Sequence, residues 1–393
     1  MLIEIHAIQN HSPSNLNRDD LGSPKTCYFG GVLRSRISSQ CIKRSIRMSK
    51  EFKALCGGVR TRQLARLIAE KVQGGQDVQK RAEKILDLCG FKAKKAKKEE
   101  TDDSIDAGKS KMLVYTSGQA IEEMAGLLRA TDGKSDKDMA AELCRLITKH
   151  VAVPDIALSG RMLEPDKSAK ELWKGLNTTV EAALQVAHAI STHDARPEVD
   201  YFVAADDIPG EDAGAGLVGE TMYASACFYK YFSIDREKLE ENLNGNKELA
   251  AHTIGAFIRA VALANPTGKQ NSFAAHNPPD GLLIQFTTTP TSYANAFAAP
   301  VSGKGNPDVV SQSVAQLAHY VHDLDTGYGK PQKRFWFSPN LRYPLCVVED
   351  KKTIAVADAN LKSLDELVPA VIAALGFDWD SVQKKLASQQ VAP

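Results

Sequence analysis

Residues 57–180 differ in pattern from the rest of the chain. Outside this stretch, short alternating or apolar runs predict β-strands, the first of them over residues 2–9. Inside it, apolar residues recur at helical spacing in four segments, which are 62–72, 78–88, 118–129 and 138–147. A chain that forms strands on both sides of a long helical block is restricted to an α+β fold, with the block inserted into a β-containing body.

The chain is long enough to need more than one hydrophobic core. At 393 residues it exceeds the size at which single cores stop growing. We predict a helical insertion over 57–180 and a body formed by the segments 1–56, 181–194 and 223–393. A glycine-rich segment at 211–219, between strand-like runs, predicts the tip of a long β-hairpin over 195–222.

Composition predicts a soluble protein with reduced cysteines. Hydrophobic residues make up 43% of the chain and charged residues 25%, which is typical of folded domains and argues against disorder. No apolar stretch approaches the length of a membrane span, and the N-terminus lacks the pattern of a signal peptide. The seven cysteines are scattered without C-x-x-C spacing, which indicates neither a disulfide framework nor a zinc site. We therefore expect a cytoplasmic location.

Positive charge is concentrated near the N-terminus. The chain has 49 Lys and Arg against 48 Asp and Glu, and this near balance by itself argues against a nucleic-acid-binding protein. A phosphate backbone, however, responds to charge within one Debye length. Residues 18–50 contain two acids and eight basic residues, which are Arg18, Lys25, Arg34, Arg36, Lys43, Arg44, Arg47 and Lys50. The rest of the chain is therefore net acidic.

A basic helix is predicted from Ser38-Ser39, which have the character of an N-cap, to about Leu55. One polar arc of this helix carries Gln40, Lys43, Arg44 and Arg47. The opposite side, which we expect to pack on the body, carries Cys41, Ile42, Ser45, Ile46, Met48 and Phe52. The hydroxyls and free N–H groups at the helix start are anion ligands. With Arg18 and Lys25 they favour a polyphosphate strand, and the alternative is a solvated basic face.

No catalytic or cofactor-binding motif is complete. Residues 266–270 resemble a phosphate loop but lack the earlier glycine and the Ser or Thr that should follow, so they predict only that Lys269 and Gln270 meet a phosphate. His188 and His193 are spaced wrongly for one helical face, and no motif places a second carboxylate beside them. We therefore predict no metal, no cofactor and no catalytic residue.

Three alternatives remain open at this point. A metal-dependent ribonuclease would use Asp19, Asp20 or the two histidines just named. The aromatic run 228–232 would stack bases in a single-strand binder, although alternation along a strand places at least half of its rings in a core. The lysine-rich segment 92–98 would contact DNA outside the basic groove.

Several segments carry a family resemblance. The N-terminal ones are His11–Asp20, Phe29-Gly30-Gly31, Arg36–Gln40 and Lys43-Arg44. Others follow in order over most of the chain, namely Asp155–Met162, Ala183–Ala189, Asp200–Phe202 and Lys269–Ala275. They resemble the CasC family, the backbone subunit of the type I-E CRISPR surveillance complex Cascade and part of the RAMP superfamily. Residues 92–98 and the C-terminal region fit this pattern less clearly.

The resemblance implies a hand-like α+β fold with a ferredoxin-like (RRM-like) palm, a helical fingers insertion and a β-hairpin thumb. It implies that the guide RNA backbone is bound by Arg18, Lys25, Ser38, Gln40, Lys43 and Arg47. The patterns above add Ser39, Arg44, Lys269 and Gln270. Met162 is implied as an apolar wedge against a displaced nucleotide, with Leu217 or Val218 as its partner on the thumb. Core packing is the alternative role for Met162.

The implied function is non-catalytic. About six copies of the chain polymerise along one CRISPR guide RNA, each thumb displaces a base, and the remaining bases pair with target DNA. The other implied partners are the large, small, tail and RNA-processing subunits of Cascade. Because one protein serves many guides, it must contact the backbone and leave sequence recognition to base pairing.

Overall fold

The computed structural model describes residues 1–92, 110–130, 133–204, 217–302 and 308–390. The chain divides into two compact units. The first contains Met1–Ala54, Gln185–Arg236 and Ala251–Pro393, and the second contains Leu55–Leu184 and Glu237–Ala250. The return of the chain to the second unit at Glu237 is not indicated by any sequence pattern. The boundaries predicted for palm, fingers and thumb stay predictions.

The strands and helices are numbered in chain order. The strands are β1 (Leu2–Ser14), β2 (Thr26–Phe29), β3 (Val32–Ile37), β4 (Gly58–Thr61), β5 (Val114–Ser117), β6 (Arg161–Met162), β7 (Thr179–Val180), β8 (Leu184–Val186), β9 (Ala189–Ser191), β10 (Glu198–Ala204), β11 (Leu217–Asp235), β12 (Gly281–Thr287), β13 (Lys333–Phe337), β14 (Cys346–Glu349), β15 (Lys352–Ala355) and β16 (Ala359–Leu361). The helices are α1 (Ser39–Met48), α2 (Lys50–Lys53), α3 (Leu64–Val72), α4 (Gly75–Leu88), α5 (Gly118–Arg129), α6 (Asp136–Lys149), α7 (Pro154–Ser159), α8 (Arg236–Asn242), α9 (Lys247–Leu263), α10 (Gln270–Phe273), α11 (Val309–Tyr328), α12 (Leu364–Ala374) and α13 (Trp379–Gln390). Short 3-10 helices lie at Lys167–Trp173 and Ala294–Phe297. None of the described helices is long and apolar enough to cross a lipid bilayer.

A mixed sheet forms the centre of the first unit. Its strand order is β16-β13-β12-β1-β11-β9-β3-β2. The β13–β16 pair is parallel, whereas β1 is antiparallel to both of its neighbours, β11 and β12. The predicted α+β class is confirmed, and the ferredoxin-like detail stays a prediction.

The two faces of this sheet pack against different helices. On one face, Phe232 of β11 meets Phe257 of α9 at a ring-centroid distance of 5.7 Å, and Phe257 meets Phe52 of α2 at 6.3 Å. On the other face, Ile8 and Tyr229 join a buried cluster with the apolar residues of α11. Alternate residues of β1 and β11 therefore serve two cores, which explains why neither strand shows a clean apolar–polar alternation.

A buried polar network crosses the second of these faces. Glu4 of β1 accepts hydrogen bonds from the Tyr231 hydroxyl and, at 2.7 Å, from Gln285 Nε2. Arg334 of β13 donates to Gln285 Oε1 at 3.2 Å and to both carboxylate oxygens of Asp325 at 2.7 and 2.9 Å. The network joins four strands to α11: Arg334 and Asp325 form a buried ion pair, and the buried Glu4 carboxyl is held by hydrogen bonds.

Two predicted features of the basic helix differ from the structure. The helix ends at Met48, because the next residue, Ser49, is extended (ψ 155°) and its side chain caps α2 by accepting from the Phe52 N–H. Met48 is 48% exposed, so its prediction as a packing residue is wrong.

The last helix, α13, is not predicted from the sequence. Its Trp379 ring fits against Gly255, where a Cβ would lie 2.3 Å from the ring.

An exposed ribbon extends from the first unit. β11 is 19 residues long, and its last ten residues pair with β1. Its first seven residues, Leu217–Tyr223, pair instead with β10. The glycine-rich segment that was predicted as the hairpin tip lies largely outside the described residues, which resume at 217.

The second unit has its own core. Buried side chains of α3, α4, α5 and α6 form one cluster with Val114 of β5 and with Trp173. The Trp173 indole donates to the Cys89 carbonyl at 2.9 Å. A separate core of this size is consistent with a helical block that folds around its own apolar faces.

Candidate nucleic-acid interface

The first turn of α1 is capped by side chains of the protein itself. Ser38 is the N-cap, and its Oγ accepts from the Cys41 N–H at 3.3 Å. The N–H of Ser38 donates to Asn17 Oδ1 at 2.8 Å, and the N–H of Ser39 donates to His188 Nδ1 at 3.3 Å. The prediction that these N–H groups are free is therefore wrong, and the hydroxyl of Ser38 is already engaged.

The outward face of α1 is polar and cationic, as the periodicity predicts. Ile42 and Ile46 are buried beneath the helix. The opposite arc is exposed or half-buried and consists of Gln40, Lys43, Arg44 and Arg47. Among the described residues, no acid forms an ion pair with Lys43 or Arg44. Cations without an acidic partner on their own protein are available to an external anion.

Arg18 and Lys25 lie at the two ends of a folded loop beside α1. Within the loop, Asp19 Oδ1 accepts from the Ser23 N–H at 2.9 Å, and the Asp19 N–H donates to the Ser23 carbonyl at 2.9 Å. The Lys25 N–H donates to the carbonyl of Asn17 at 2.9 Å. Because Asn17 also binds the start of α1, the loop is attached directly to the helix. Asp19 therefore has a structural role in shaping this turn.

The charges of the loop and the helix act on the Cys41 thiol. Burial raises the pKa of the Cys41 thiol, and the charges of Lys230, Lys25 and Arg44 act in the opposite direction. The Cys41 thiol also donates a weak hydrogen bond, 3.9 Å long, to the Leu16 carbonyl. Positive charges from three separate segments therefore act on the first turn of α1.

Lys269 is brought to the same region by a close backbone approach. A Cβ on Gly268 would lie 2.5 Å from the Leu16 carbonyl oxygen, so only glycine allows the two segments to meet here. Lys269 follows directly, in the left-handed region at φ 52°. The side chain of Gln270 turns inward and donates from Nε2 to the Pro266 carbonyl at 2.9 Å. Lys269 and Gln270 therefore differ in their availability to a ligand.

Two other sequence features near the site are buried and have a structural role instead of a role in binding. Arg34 is fully buried, and its guanidinium donates to the carbonyls of Phe29, Ser191 and Phe297 at 3.2, 3.0 and 2.8 Å. It does not contribute to the basic surface. All four rings in the run 228–232 are also buried, at 8% exposure or less. The alternative in which these rings stack bases is therefore wrong.

His188, which the sequence analysis considered only as a metal ligand, has a role at this site that sequence reasoning missed. Its Nδ1 lies 3.2 Å from Arg36 Nη1 and accepts from the Ser39 N–H. Burial, and then the charges of Arg36 and Lys25, lower the pKa of His188, which keeps the ring neutral at pH 7 and Nδ1 free to accept. The signal was the segment Ala183–Ala189, which the family resemblance included without a role for this residue.

Met162 belongs to the second unit, where buried neighbours position it. Gly160 adopts φ 73°, and a Cβ there would lie 2.9 Å from the Val180 carbonyl oxygen. Arg161 is buried, and its guanidinium donates to the Ile147 carbonyl at 2.7 Å. Burial lowers the pKa of Arg161 to about 10. Met162, the next residue on β6, is 67% exposed. An exposed apolar side chain on a rigid base is available for a contact outside its own unit.

Replacing Met162 by alanine is expected to change the free energy of unfolding by less than about 0.5 kcal/mol, because the side chain is exposed. The neighbouring Leu163 is 3% exposed, and Leu163→Ala is expected to cost about 2–5 kcal/mol. Chemical denaturation of both variants measures the difference. A loss at Met162 as large as the loss at Leu163 would favour core packing as the role of Met162.

Two predicted contacts lie partly outside the described residues. The backbone of Leu217 begins β11 opposite Ala204, but the side chains of Leu217 and Val218 are outside the described part. In the lysine-rich segment 92–98, only Lys92 is described, and it pairs with Asp166 at 3.1 Å.

The described residues contain no group of three His, Cys, Asp or Glu side chains that could bind a metal ion. His193, considered above as a metal ligand, accepts from the Cys227 N–H at Nε2, at 3.2 Å. Burial lowers the pKa of His193. What the described arrangement around α1 offers is a group of cations with polar side chains beside them, which is the chemistry of polyanion binding.

Comparison with known proteins gives consistent results. A family model for CT1975-like proteins matches residues 3–369. A chain from a CRISPR RNA-guided surveillance complex in a pre-nicking state is similar with a TM-score of 0.76 and 30% sequence identity, over 95% of this chain and 100% of that one. A chain from another CRISPR RNA-guided surveillance complex has a TM-score of 0.58 and 24% identity over the same shares, and supports the fold alone. No curated protein sequence matches the chain.

Proposed function

Since the chain belongs to the family of CT1975-like proteins, we propose that it is the backbone subunit that binds guide RNA in a CRISPR surveillance complex of type I-E. The observation that carries the proposal is the group of cations around α1 that have no acidic partner among the described residues: Arg18, Lys25, Lys43, Arg44 and Lys269. Such a group, spread over three segments of one unit, matches several successive phosphates better than one small anion.

The mechanism is a grip on the sugar–phosphate backbone. The cations, with Gln40 and Arg47, contact phosphates and sugars and leave the base edges free. Ser38, Ser39 and Gln270 bond the protein itself and hold the segments that present these side chains. Met162 and the exposed ribbon, whose Leu217 side chain is outside the described part, displace bases at intervals. Copies of the chain assemble along the guide in the cytoplasm with the other subunits, and the remaining bases pair with target DNA. The subunit needs no cofactor and performs no catalysis.

Replacing Lys43 by alanine tests the grip. We expect RNA affinity to fall about tenfold and the slope of log affinity against log salt to decrease by about one unit, because one phosphate contact is lost. Filter binding of a single-stranded RNA at several salt concentrations measures both. Lys53→Ala, an exposed lysine on α2, is the matched control and should behave as the wild type. An unchanged salt slope for Lys43→Ala would remove this residue from the interface.

The ribonuclease alternative has a separate test. Asp20 is exposed, and among the described residues it forms no hydrogen bond that would give it a structural role comparable to that of Asp19. We expect the purified protein to leave labelled RNA intact in magnesium or manganese, and Asp20→Ala to bind RNA as the wild type does. Cleavage by the wild type that disappears in Asp20→Ala would replace the proposed scaffold with an enzyme.

A further inference from the structure

Lys230 is a buried cation that the proposed interface does not include. It lies on β11 opposite Ala7 of β1 and is 3% exposed. Its Nζ donates to Gln9 Oε1 at 2.5 Å. Gln9 Nε2 in turn donates to Asn265 Oδ1 at 2.9 Å and to the Asn277 carbonyl at 2.5 Å. The amide is therefore oriented with its oxygen toward the lysine.

The groups around Lys230 do not neutralise it. Among the described residues, no carboxylate pairs with it, and a neutral amide is its hydrogen-bond partner. The titratable groups that face it are the imidazole of His11 on β1 and the thiol of Cys41 on α1. Burial and then the charge of Lys230 lower the pKa of His11 to about 3, so this ring is neutral. A buried ammonium without a counter-ion is costly unless something else benefits from its charge.

The position of Lys230 indicates that a phosphate bound at the proposed RNA surface would be stabilised by its charge. The strand at Lys230 is connected to the start of α1: the carbonyl of the next residue, Tyr231, accepts from the Ala187 N–H at 3.0 Å, and the residue after Ala187, His188, accepts from the Ser39 N–H at 3.3 Å. The buried ammonium is therefore close to the first turn of α1, and its charge acts on Cys41 together with those of Lys25 and Arg44. The protein around it has a lower dielectric constant than water, so its field reaches that surface with little screening.

We propose that Lys230 increases RNA affinity from beneath the surface without touching the RNA, and that RNA binding is coupled to proton uptake by this amine. The inference rests on the proposed function. In the free protein, burial lowers the pKa of Lys230 to about 8. Phosphates held above it stabilise the ammonium and raise that pKa. Affinity contributed by Lys230 is therefore fully present below pH 8 and is lost as the pH rises through the pKa of the complex.

The other facing groups do not titrate in the same window. The His11 imidazole stays neutral because its pKa is far below 7. The Cys41 thiol stays protonated because burial raises its pKa. A proton taken up between pH 7 and 9 on RNA binding thus has Lys230 as its acceptor at this site.

The test measures RNA affinity at pH 7 and pH 9 with a single-stranded RNA at fixed ionic strength. For the wild type we expect affinity to fall about fivefold over this range if RNA raises the amine pKa by about one unit. For Lys230→Met we expect about a tenfold loss at pH 7 and no further loss at pH 9. Lys230→Arg keeps the charge at both pH values and should remove the pH dependence.

Calorimetry of the wild type keeps the test independent of variant folding. Titrations at pH 8 in buffers of different ionisation enthalpy report proton uptake on binding directly. Proton uptake on RNA binding supports the inference, and RNA binding without proton uptake overturns it. The inference is also overturned if Lys230→Met binds RNA with the affinity of the wild type at both pH values. A wild type that binds no RNA at any pH would instead contradict the proposed function.

Discussion

The double variant Lys43→Glu/Arg47→Glu is expected to purify without RNA. Both side chains lie on the outward arc of α1, and Lys43 has no acidic partner among the described residues. Each charge-assisted contact to a phosphate contributes about 1.5–3 kcal/mol. Losing two of them lowers affinity by about 10²–10⁴-fold, and the introduced carboxylates add repulsion. The ratio of absorbance at 260 and 280 nm, with extraction of bound RNA, measures the loss.

A matched control separates the site from the change in net charge. Lys50→Glu/Lys53→Glu alters the charge by the same amount on the next helix, α2, where both lysines are exposed. This control should retain RNA. If it loses RNA equally, binding depends on overall charge and not on the α1 arc. If the α1 variant keeps normal RNA occupancy, the assignment of this surface is wrong.

Replacing Arg334 by methionine is expected to lower the free energy of unfolding by about 3–5 kcal/mol. The guanidinium and its partner Asp325 are 3% and 7% exposed, and the variant leaves that carboxylate buried without a counter-ion. It also removes the donor to Gln285, which connects the pair to Glu4. Denaturant unfolding followed by tryptophan fluorescence measures the change, because Trp336 lies on the same strand.

A double variant removes both charges of the Arg334–Asp325 ion pair. Arg334→Met/Asp325→Leu leaves no unpaired ion, so it should recover most of the lost stability, since buried ion pairs are often replaceable by apolar residues. A double variant as unstable as Arg334→Met would show that packing around β13, and not the unpaired charge, causes the loss. RNA binding should persist in both variants wherever they are folded.

Much of the local structure was predictable because it depends on sequence spacing. The arc that carries Lys43 and Arg47 follows from helical periodicity, and the strand β1 follows from its apolar residues. The break after Met48 was less visible, because it depends on Ser49 bonding a residue of the following turn. Trp379 and α13 were missed because α13 packs against Gly255, far away in sequence.

The site was only partly predictable, because the positions of charged residues in the sequence do not show which of their side chains become buried on folding. Arg34 and Arg36 are two residues apart on one strand, yet Arg34 is fully buried. Its guanidinium donates to the carbonyl of Phe297, which is distant in sequence. Asn17 and His188 carry no charge signal, although they cap the helix that presents the cations. Lys230 lies within the aromatic run 228–232, and its burial against the neutral amide of Gln9 is not visible in the sequence.

The length of β11 has a mechanical consequence. One unbroken strand runs from the exposed ribbon at Leu217 to Asp235, deep in the first unit. Tension applied at the ribbon would therefore travel along the strand axis and load the ladder between β1 and β11 in shear. In that geometry many backbone hydrogen bonds resist together instead of opening one after another. The strand that reaches outward is thus also a strong anchor for whatever the ribbon holds.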